Sequence, residues 1–475
     1  MKPLISCVLA ALFATPSSAQ DSKPATPDEA AIARWSSFGY GMFIHFGIST
    51  FTGIECDPGN LPTTTYAPAN LDVDQWVRVA RDAGMKYVVL TAKHVPGFCL
   101  WDSKVQWRGK EYDYDIATSG NTTDVVAAFT KACKQYGIMP GLYWCLLDFR
   151  NNSVPSGQQW NAGKLPDDFF QLAQDQIAEL IHHYPDVGYY WLDIPRTAGA
   201  QQRSAIYDLI KRLRPGTVVL FNHGTDAPDR QMTIEQFQAA WPTDILNTER
   251  NPAKPGQFKP EQTWEGGFRH FGYEHCDTIH GNWFWAAGDG PRPLKELFSL
   301  YQKVRAGGGN LLLNVPPDKT GRIAEADVEV LLQLKQAIDD PSAFPDPLNL
   351  NAKASASNIY RNDPAYRAEV AMDENPATRW ATDVGTKSAW LEEDLGKPVT
   401  IGRAIIKQAY PELQRVRKFA TEYQQGDEWK ACYLGEDLGT TLNARFEPVT
   451  ARRVRLNITE ATDGPTISEF NLFGK

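Results

Sequence analysis

The chain of 475 residues is too long for one ordinary domain, and its 42% hydrophobic and 22% charged residues are typical of globular protein. A formal net charge of -9 at pH 7 argues against nucleic acid as a partner, because no basic surface is available to neutralise phosphates. No stretch approaches 18 consecutive apolar residues, so we expect no membrane-spanning helix.

The N-terminal segment, residues 1–19, is typical of a secretory signal peptide. Lys2 supplies a short positive region, residues 4–14 are apolar but too few to span a bilayer, and residues 17–19 are small, as before a cleavage site. We therefore predict an exported protein, either periplasmic or extracellular. The cysteines after Cys7 are scattered without a C-x-x-C pair, so we expect no metal site, and their spacing does not reveal any disulfide pairing.

Strand-like and helix-like segments alternate between residues 28 and 340. The strand-like segments are apolar runs without alternation, as in a parallel sheet covered on both faces: 86–91, 138–147, 188–193, 217–221 and 310–315. Between them, residues 124–136 and 167–184 repeat apolar side chains at helical spacing. We therefore predict an α/β fold with a (β/α)8-like barrel over residues 28–340.

A proline-rich segment, residues 341–347, ends this pattern. Beyond it, short strand-like segments recur with turns between them: 388–395, 401–406, 418–423, 453–458 and 467–473. We predict a C-terminal β-sandwich over residues 348–475.

Asp193, at the end of the strand-like segment 188–193, is the first candidate for chemistry. In a β/α barrel the carboxyl ends of the strands carry catalytic side chains, and a carboxylate placed there needs a partner or a task. The alternative is that Asp193 only caps the following helix. If Asp193 is a nucleophile in retaining glycoside hydrolysis, a second carboxyl about 5–5.5 Å away must act as the general acid and base.

Other candidate side chains follow strands or lie in one aperiodic segment. His45 and His94 each come directly after a strand-like run, and they are too dispersed to predict a metal site but suit recognition of hydroxyl groups. Residues 247–285 lack periodicity, and we interpret them as a long functional loop. Four candidates for the second carboxyl lie in that segment: Glu249, Glu261, Glu265 and Glu274.

Six motifs between residues 30 and 340 resemble, in order, those of the α-L-fucosidases of glycoside hydrolase family 29. They are GMFIHFG (41–47), LTAKH (90–94), GFCLW (97–101), GLY (141–143), WLD (191–193) and GNLLLNV (309–315). The resemblance implies a (β/α)8-like barrel and a retaining mechanism without metal or other cofactor, with Asp193 as the nucleophile. The substrate that it implies is terminal α-linked L-fucose on an oligosaccharide or glycoconjugate.

The same resemblance implies a sugar pocket and two candidates for the acid. The pocket residues are His45, Glu55, His94, Trp101, Tyr143, Trp191 and Arg250. Glu55 and Glu249 resemble residues of the branch that acts on α-1,3/1,4-linked fucosides, whereas Glu261 resembles the acid of the broad-specificity branch. We favour Glu249 over Glu261. Arg250 either contacts the sugar or holds a carboxylate.

Two positions depart from the family pattern. Val95 and Pro96 follow His94 where the family usually has histidine and aspartate, and Ile194 follows Asp193 where glycine is common. The first departure removes a sugar-contacting histidine. It leaves open a related exo-glycosidase such as an α-L-galactosidase. A non-catalytic protein that binds fucosylated glycans is the other alternative.

Motifs near the C-terminus resemble a discoidin, or F5/8 type C, domain. They are AMD (371–373), ATRW (377–380), WLEEDLG (390–396), ARRVRL (451–456) and ISEF (467–470). Such modules often bind sugars through loops at one end of the sandwich. Sugar binding by this domain and a purely structural role are both left open, and the sequence does not indicate an oligomeric state.

Overall fold

The computed structural model describes residues 26–151, 160–222, 236, 241–254, 256–257, 259–264, 267–341, 345–350, 352–373, 375 and 377–474. The chain divides into two compact units, Met1–Asp339 and Asp340–Lys475. The predicted signal peptide lies outside the described residues and stays a prediction. None of the helices in the described ranges is long and apolar enough to cross a membrane.

Eight parallel strands form the sheet of the first unit. They are β1 (Tyr40–Ile44), β2 (Tyr87–Lys93), β3 (Met139–Cys145), β4 (Tyr189–Asp193), β5 (Val218–Phe221), β6 (Ile245–Glu249), β7 (Gly272–Thr278) and β8 (Asn310–Asn314). Hydrogen bonds join them in the order β5-β4-β3-β2-β1-β8-β7-β6. The sheet is therefore a nearly closed barrel, and the predicted (β/α)8-like fold is confirmed.

Asp244 joins β5 to β6, two strands between which the described residues form no strand ladder. Its backbone N–H donates to the Val219 carbonyl at 2.8 Å, and its carboxylate accepts from the Val219 N–H at 2.9 Å. Lys211 and Arg269, both buried, lie 2.5 and 3.1 Å from the same carboxylate. A buried charge is tolerated here because it is paired and hydrogen-bonded.

The helices of this unit include the two that the sequence predicts. They are α1 (Glu29–Ser36), α2 (Ile48–Thr52), α3 (Val73–Asp82), α4 (Val125–Tyr136), α5 (Asp167–His183), α6 (Ala200–Leu213), α7 (Leu294–Ala306) and α8 (Glu325–Asp339). The carboxylate of Asp124 caps α4 by accepting from the Ala127 N–H. Gly137 ends α4 with φ 68°, a left-handed conformation that favours glycine. Both predicted helices, α4 and α5, are confirmed.

The interpretation of residues 247–285 as one long loop is wrong. The segment contains the hairpin Glu261–Trp264 and Gly267–His270, followed by the whole of β7. Every residue of β7 is buried, although Glu274, His275 and Asp277 are polar. Because these polar side chains interrupt the apolar run, the sequence pattern does not indicate a strand here. The structure accommodates them through hydrogen bonds and ion pairs.

The second unit is a set of antiparallel strands. They are β9 (Lys353–Ala356), β10 (Trp380–Ala381), β11 (Ala389–Gln408), β12 (Val416–Gln425), β13 (Glu428–Glu436), β14 (Thr441–Ala461) and β15 (Thr466–Phe473). Their order is β10-β15-β11-β14-β12-β13, and β9 pairs with β11. Register shifts interrupt the pairing of β11 with β14. The sequence predicts two short strands, 388–395 and 401–406, where β11 runs continuously, and one of these register shifts lies between Asp394 and Val399. The predicted β-sandwich domain is confirmed, with its own buried core that includes Trp380 and Leu391.

Candidate active site

A cavity of about 370 Å³ opens among the carboxyl ends of the barrel strands. Its volume lies within the usual range for small-molecule sites. The buried part of its lining is largely aromatic: Phe43, His45, His94, Tyr143, Trp191 and Trp283. Trp160 and Arg196 lie at its exposed side, and the Trp160 side chain is 49% exposed. The cavity therefore combines a buried aromatic end with an open rim.

Asp193 is the last residue of β4 and lines this cavity. Its Oδ2 accepts a hydrogen bond from the Tyr143 hydroxyl at 2.7 Å. Its Oδ1 accepts from the Asn222 side-chain amide at 2.7 Å and from the Ile194 backbone N–H at 2.8 Å. Three donors thus hold the carboxylate in one orientation. Asp193 does not act as a helix N-cap, since Ile194 is the N-cap of the short 3₁₀-helix Pro195–Thr197 and Gly199 is the N-cap of α6.

Glu249, the last residue of β6, lines the cavity together with Asp193. Asn222 Nδ2, which donates to Asp193, also lies 3.4 Å from Glu249 Oε2. A further hydrogen bond fixes the orientation of the Asn222 amide, since its Oδ1 accepts from Asn247 Nδ2 at 2.5 Å. One amide nitrogen therefore contacts both carboxyl groups.

Three stacked rings form one wall of the cavity. The His94 ring lies 5.4 Å from the Tyr143 ring at an interplanar angle of 18°. The Tyr143 ring in turn lies 5.5 Å from Trp191 at 19°. The Phe43 ring lies 5.9 Å from Tyr143 and 5.3 Å from Trp191, tilted by 57° and 56°. This wall therefore presents aromatic rings to the cavity, beside the polar side chains of Asp193, Asn222 and Glu249.

Burial keeps both pocket histidines neutral. It lowers the pKa of His45 to about 3, although the hydrogen bond that His45 donates to Asn314 opposes the shift and Arg250 reinforces it. Burial, with a smaller contribution from His45, holds the pKa of His94 well below its usual value. A neutral imidazole has one donor and one acceptor nitrogen, which suits hydroxyl recognition.

Glu55 is the third carboxyl of the cavity. Partial burial raises its pKa, and repulsion from Glu249 and Asp193 raises it further, while Arg250 opposes the shift. Like charges gathered in one site favour protonation of one of them. The charges of Glu249 and Asp193 therefore favour the protonated form of Glu55.

Arg250 lies beside the cavity but is not part of its lining. Its guanidinium lies 4.6 Å from the centre of the Trp283 ring and donates to the Thr278 hydroxyl at 2.7 Å. Asp277 lies 3.6 Å from the same guanidinium. In this structure Arg250 thus supports Trp283 and contributes positive charge behind the pocket.

Two of the predicted site residues lie elsewhere. Trp101 is fully buried, and its indole N–H donates to Glu179 at 2.7 Å, so this tryptophan is part of the packed interior. Glu261 is exposed on the hairpin before β7 and does not line the cavity. The structure therefore brings together Asp193 and Glu249, and it does not bring Glu261 to them.

Several lining residues were not predicted from the sequence. Val95 lines the cavity at the position where the family pattern has histidine. Asn222 directly follows β5, so the strand-end rule that selects Asp193 would have selected it too. Trp283 lies in the segment taken for a loop, and Trp160 has no neighbouring pattern that distinguishes it. Cys56 and Cys276 also line the cavity, and the six described cysteines are all free thiols.

Two family profiles match the chain. The family profile described as alpha-L-fucosidase matches residues 60–338, and the F5/8 type C domain profile matches residues 351–470. Alpha-L-fucosidase 1 of Arabidopsis thaliana is 29% identical over 457 residues, which cover 93% of this chain and 86% of that protein. The putative alpha-L-fucosidase 1 of Oryza sativa subsp. japonica is 28% identical, with 93% and 83% covered.

Solved structures share the fold over most of the chain. A putative alpha-L-fucosidase from Bacteroides thetaiotaomicron has a TM-score of 0.53 at 24% identity, covering 94% of this chain and 97% of that one. A GH29 fucosidase from Ruminococcus gnavus, solved in complex with fucose, has a TM-score of 0.54 at 21% identity, covering 97% of each chain. At these identities the likeness concerns the fold.

Proposed function

The chain belongs to the alpha-L-fucosidase family, and we propose that it removes terminal α-linked L-fucose with retention of configuration, using Asp193 as nucleophile and Glu249 as acid and base. One observation carries the proposal. Asn222 Nδ2 lies 2.7 Å from Asp193 Oδ1 and 3.4 Å from Glu249 Oε2, so these two oxygens are at most about 6 Å apart. Retaining glycosidases hold their carboxyls about 5–5.5 Å apart, and inverting ones about 6.5–9.5 Å.

The chemistry follows from the two positions. An Asp193 oxygen attacks the anomeric carbon and forms a glycosyl ester while the bond from that carbon to the leaving oxygen breaks. Glu249 gives its proton to the leaving oxygen in the same step. Glu249 then takes a proton from water, whose oxygen attacks the anomeric carbon and releases Asp193. Tyr143 and Asn222 orient the nucleophile throughout.

Substitution of each carboxyl tests these roles on aryl α-L-fucosides. Asp193→Ala should lower turnover by about a thousandfold or more, and added azide should restore product as the inverted glycosyl azide. Glu249→Ala should lower kcat/KM, which reports formation of the glycosyl ester, about 10²–10⁴-fold for a poor leaving group and far less for a good one, because only the former needs the acid. Loss of the base in the second step should lower kcat on both substrates. With azide, Glu249→Ala should yield the retained azide.

Glu261→Ala is the matched control for Glu249→Ala, because Glu261 is exposed and lies outside the cavity lining. It should hydrolyse both kinds of substrate at the wild-type rate. A leaving-group dependence in Glu261→Ala, with none in Glu249→Ala, would assign the acid to Glu261 instead.

We propose that the sugar is fucose rather than galactose and that an α-1,3/1,4-linked glycan is the natural substrate. Phe43, Val95 and Trp283 give the cavity apolar walls, which suit the methyl group that distinguishes L-fucose from L-galactose. Glu55 and the half-exposed Trp160 lie where the rest of a glycan could pack against an aromatic face and a carboxyl.

A panel of substrates tests both parts of this specificity. Aryl α-L-fucoside should have at least a tenfold higher kcat/KM than aryl α-L-galactoside, because a galactose hydroxyl would enter an apolar wall without a partner. Trisaccharides with α-1,3- or α-1,4-linked fucose should be cleaved faster than one with α-1,2-linked fucose. Equal rates on the two aryl glycosides would favour the α-L-galactosidase alternative.

A further inference from the structure

Asn314, the last residue of β8, lies behind the cavity with both ends of its amide engaged. Its Nδ2 donates to the Trp283 backbone carbonyl at 2.7 Å, and its Oδ1 lies 2.8 Å from His45 Nδ1. A backbone carbonyl can only accept, so the amide nitrogen faces Trp283 and the amide oxygen faces His45. The amide oxygen also can only accept. The proton of the neutral His45 ring is therefore on Nδ1.

We propose that Asn314 is a positioning residue that fixes His45 as an acceptor, so that Nε2 of His45 takes a hydrogen bond from one hydroxyl group of the bound sugar. The hydrogen bond on one ring nitrogen determines which form the other nitrogen presents. His45 lines the cavity, and the hydrogen bond to its ring found among the described residues is at Nδ1. The nature of the ligand rests on the proposed function, whereas the tautomer of His45 does not.

The surroundings of His45 keep its ring uncharged. The His94 and Tyr143 rings lie 5.6 and 5.8 Å from the His45 ring, and both are neutral groups in this burial. Arg250 contributes positive charge that disfavours protonation, and burial has the larger effect, so the pKa of His45 falls to about 3. The carboxyls that face the same cavity are Glu55, Asp193 and Glu249. His45 is thus neutral, with Nε2 as an acceptor, at pH values well above 3.

An acceptor at this position selects for a donor on the ligand. A sugar hydroxyl can supply the proton, whereas a fluorine or methoxy group at the same carbon cannot. A buried acceptor left without a donor loses about tenfold or more in binding. His45 would therefore discriminate between a free hydroxyl and a substituted one, which restricts the site to an unsubstituted terminal sugar.

Asn314→Asp, with Asn310→Asp as a matched control, tests the proposal. Asn310 is the first residue of the same strand and is equally buried. Its Oδ1 accepts from the Gly39 N–H at 2.9 Å and its Nδ2 donates to the Trp35 carbonyl at 2.8 Å, away from the cavity. Both variants place a carboxyl in a buried amide position, but only Asn314→Asp places it against His45.

The first readout is ¹⁵N NMR of histidine-labelled protein without ligand. The chain has 8 histidines, and a His45→Gln variant identifies the His45 signals. The wild type and Asn310→Asp should carry the proton on Nδ1 and should not titrate above about pH 4. In Asn314→Asp the new carboxylate raises the pKa of His45, so the ring should gain a proton as the pH falls toward 6. A wild-type proton on Nε2, or a charged ring near pH 6, would overturn the proposal.

The second readout is kcat/KM on aryl α-L-fucosides that carry fluorine in place of one hydroxyl. In the wild type and Asn310→Asp, one of these analogues should lose about tenfold or more. In Asn314→Asp at a pH where His45 is charged, that loss should shrink, because Nε2 is then a donor. An unchanged loss in Asn314→Asp would contradict the proposal. If no α-L-fucoside is hydrolysed while the Nδ1 tautomer is seen, the proposed function fails and the Asn314 assignment stands.

Discussion

Glu274 is a fully buried carboxyl in the barrel whose role is structural. It accepts hydrogen bonds from the Tyr87 and Tyr189 hydroxyls at 2.8 and 2.9 Å and from the Trp191 indole at 2.8 Å. Burial raises its pKa from 4.5 to about 7, and these three donors oppose the shift. Glu274 does not line the cavity, so it acts on the site only by holding Trp191 against Tyr143.

The raised pKa of Glu274 predicts a pH-dependent stability. Between pH 4.5 and about 7 the folded protein retains a proton that the unfolded chain releases. The free energy of unfolding should therefore fall as the pH rises through this window. In Glu274→Gln, urea unfolding at several pH values should show a flatter dependence than in the wild type. Glu261→Gln, an exposed control, should keep the wild-type slope. Parallel curves for Glu274→Gln and the wild type would contradict the assignment.

At single residues, the sequence pattern indicates those site side chains whose type suggests chemistry. Asp193, His45 and His94 were found because a charged or titratable group directly follows an apolar strand. Asn222 and Asn314 occupy equivalent strand-end positions, but an amide carries no chemistry by its type. Their roles depend on which atoms they bridge, and only coordinates give those distances.

Among the secondary-structure elements, β5 and β6 are connected by hydrogen bonds of Asp244 and not by a strand ladder of the described residues. Asp244 joins β5 to β6 through Val219 and is paired with the buried cations Lys211 and Arg269. Asp244→Ala would remove the carboxylate that balances the charge of two buried cations, so we expect it to lower the free energy of unfolding by about 3–5 kcal/mol. Chemical denaturation of the purified variant measures this loss.

Asp186→Ala is the control for Asp244→Ala, since Asp186 forms a solvent-exposed ion pair with Lys134. That substitution should cost about 1 kcal/mol or less. Equal costs for the two variants would mean that Asp244 does not close the barrel.

The elements that the sequence predicted are those with a regular apolar pattern. The helices α4 and α5 and the strands β2 to β5 and β8 have such a pattern and were found. The strand β7 was missed because Glu274, His275 and Asp277 interrupt its apolar side chains. Tertiary partners from other strands make those polar residues acceptable in the core, and a local pattern contains no information about them.

At the scale of the whole molecule, the chain combines a catalytic barrel with an F5/8 type C domain. Every residue that lines the cavity belongs to the first unit, Met1–Asp339. The change from unalternating strands to short strands with turns predicted both architectures. The sequence pattern could not predict that a buried aspartate connects β5 to β6. The partners of Asp244 lie 25 or more residues away in the sequence, and a local pattern does not reveal them.

The proposed mechanism requires a covalent bond between Asp193 and fucose, and mass spectrometry detects this bond. The full-length protein is incubated with a 2-fluoro α-L-fucosyl fluoride, whose ester with the nucleophile hydrolyses slowly, and is then digested. We predict one fluorofucosyl group on the peptide that contains Asp193, and none in Asp193→Ala. A label on Glu249 or on another residue, or turnover of the reagent with inversion and no labelled peptide, would contradict the account.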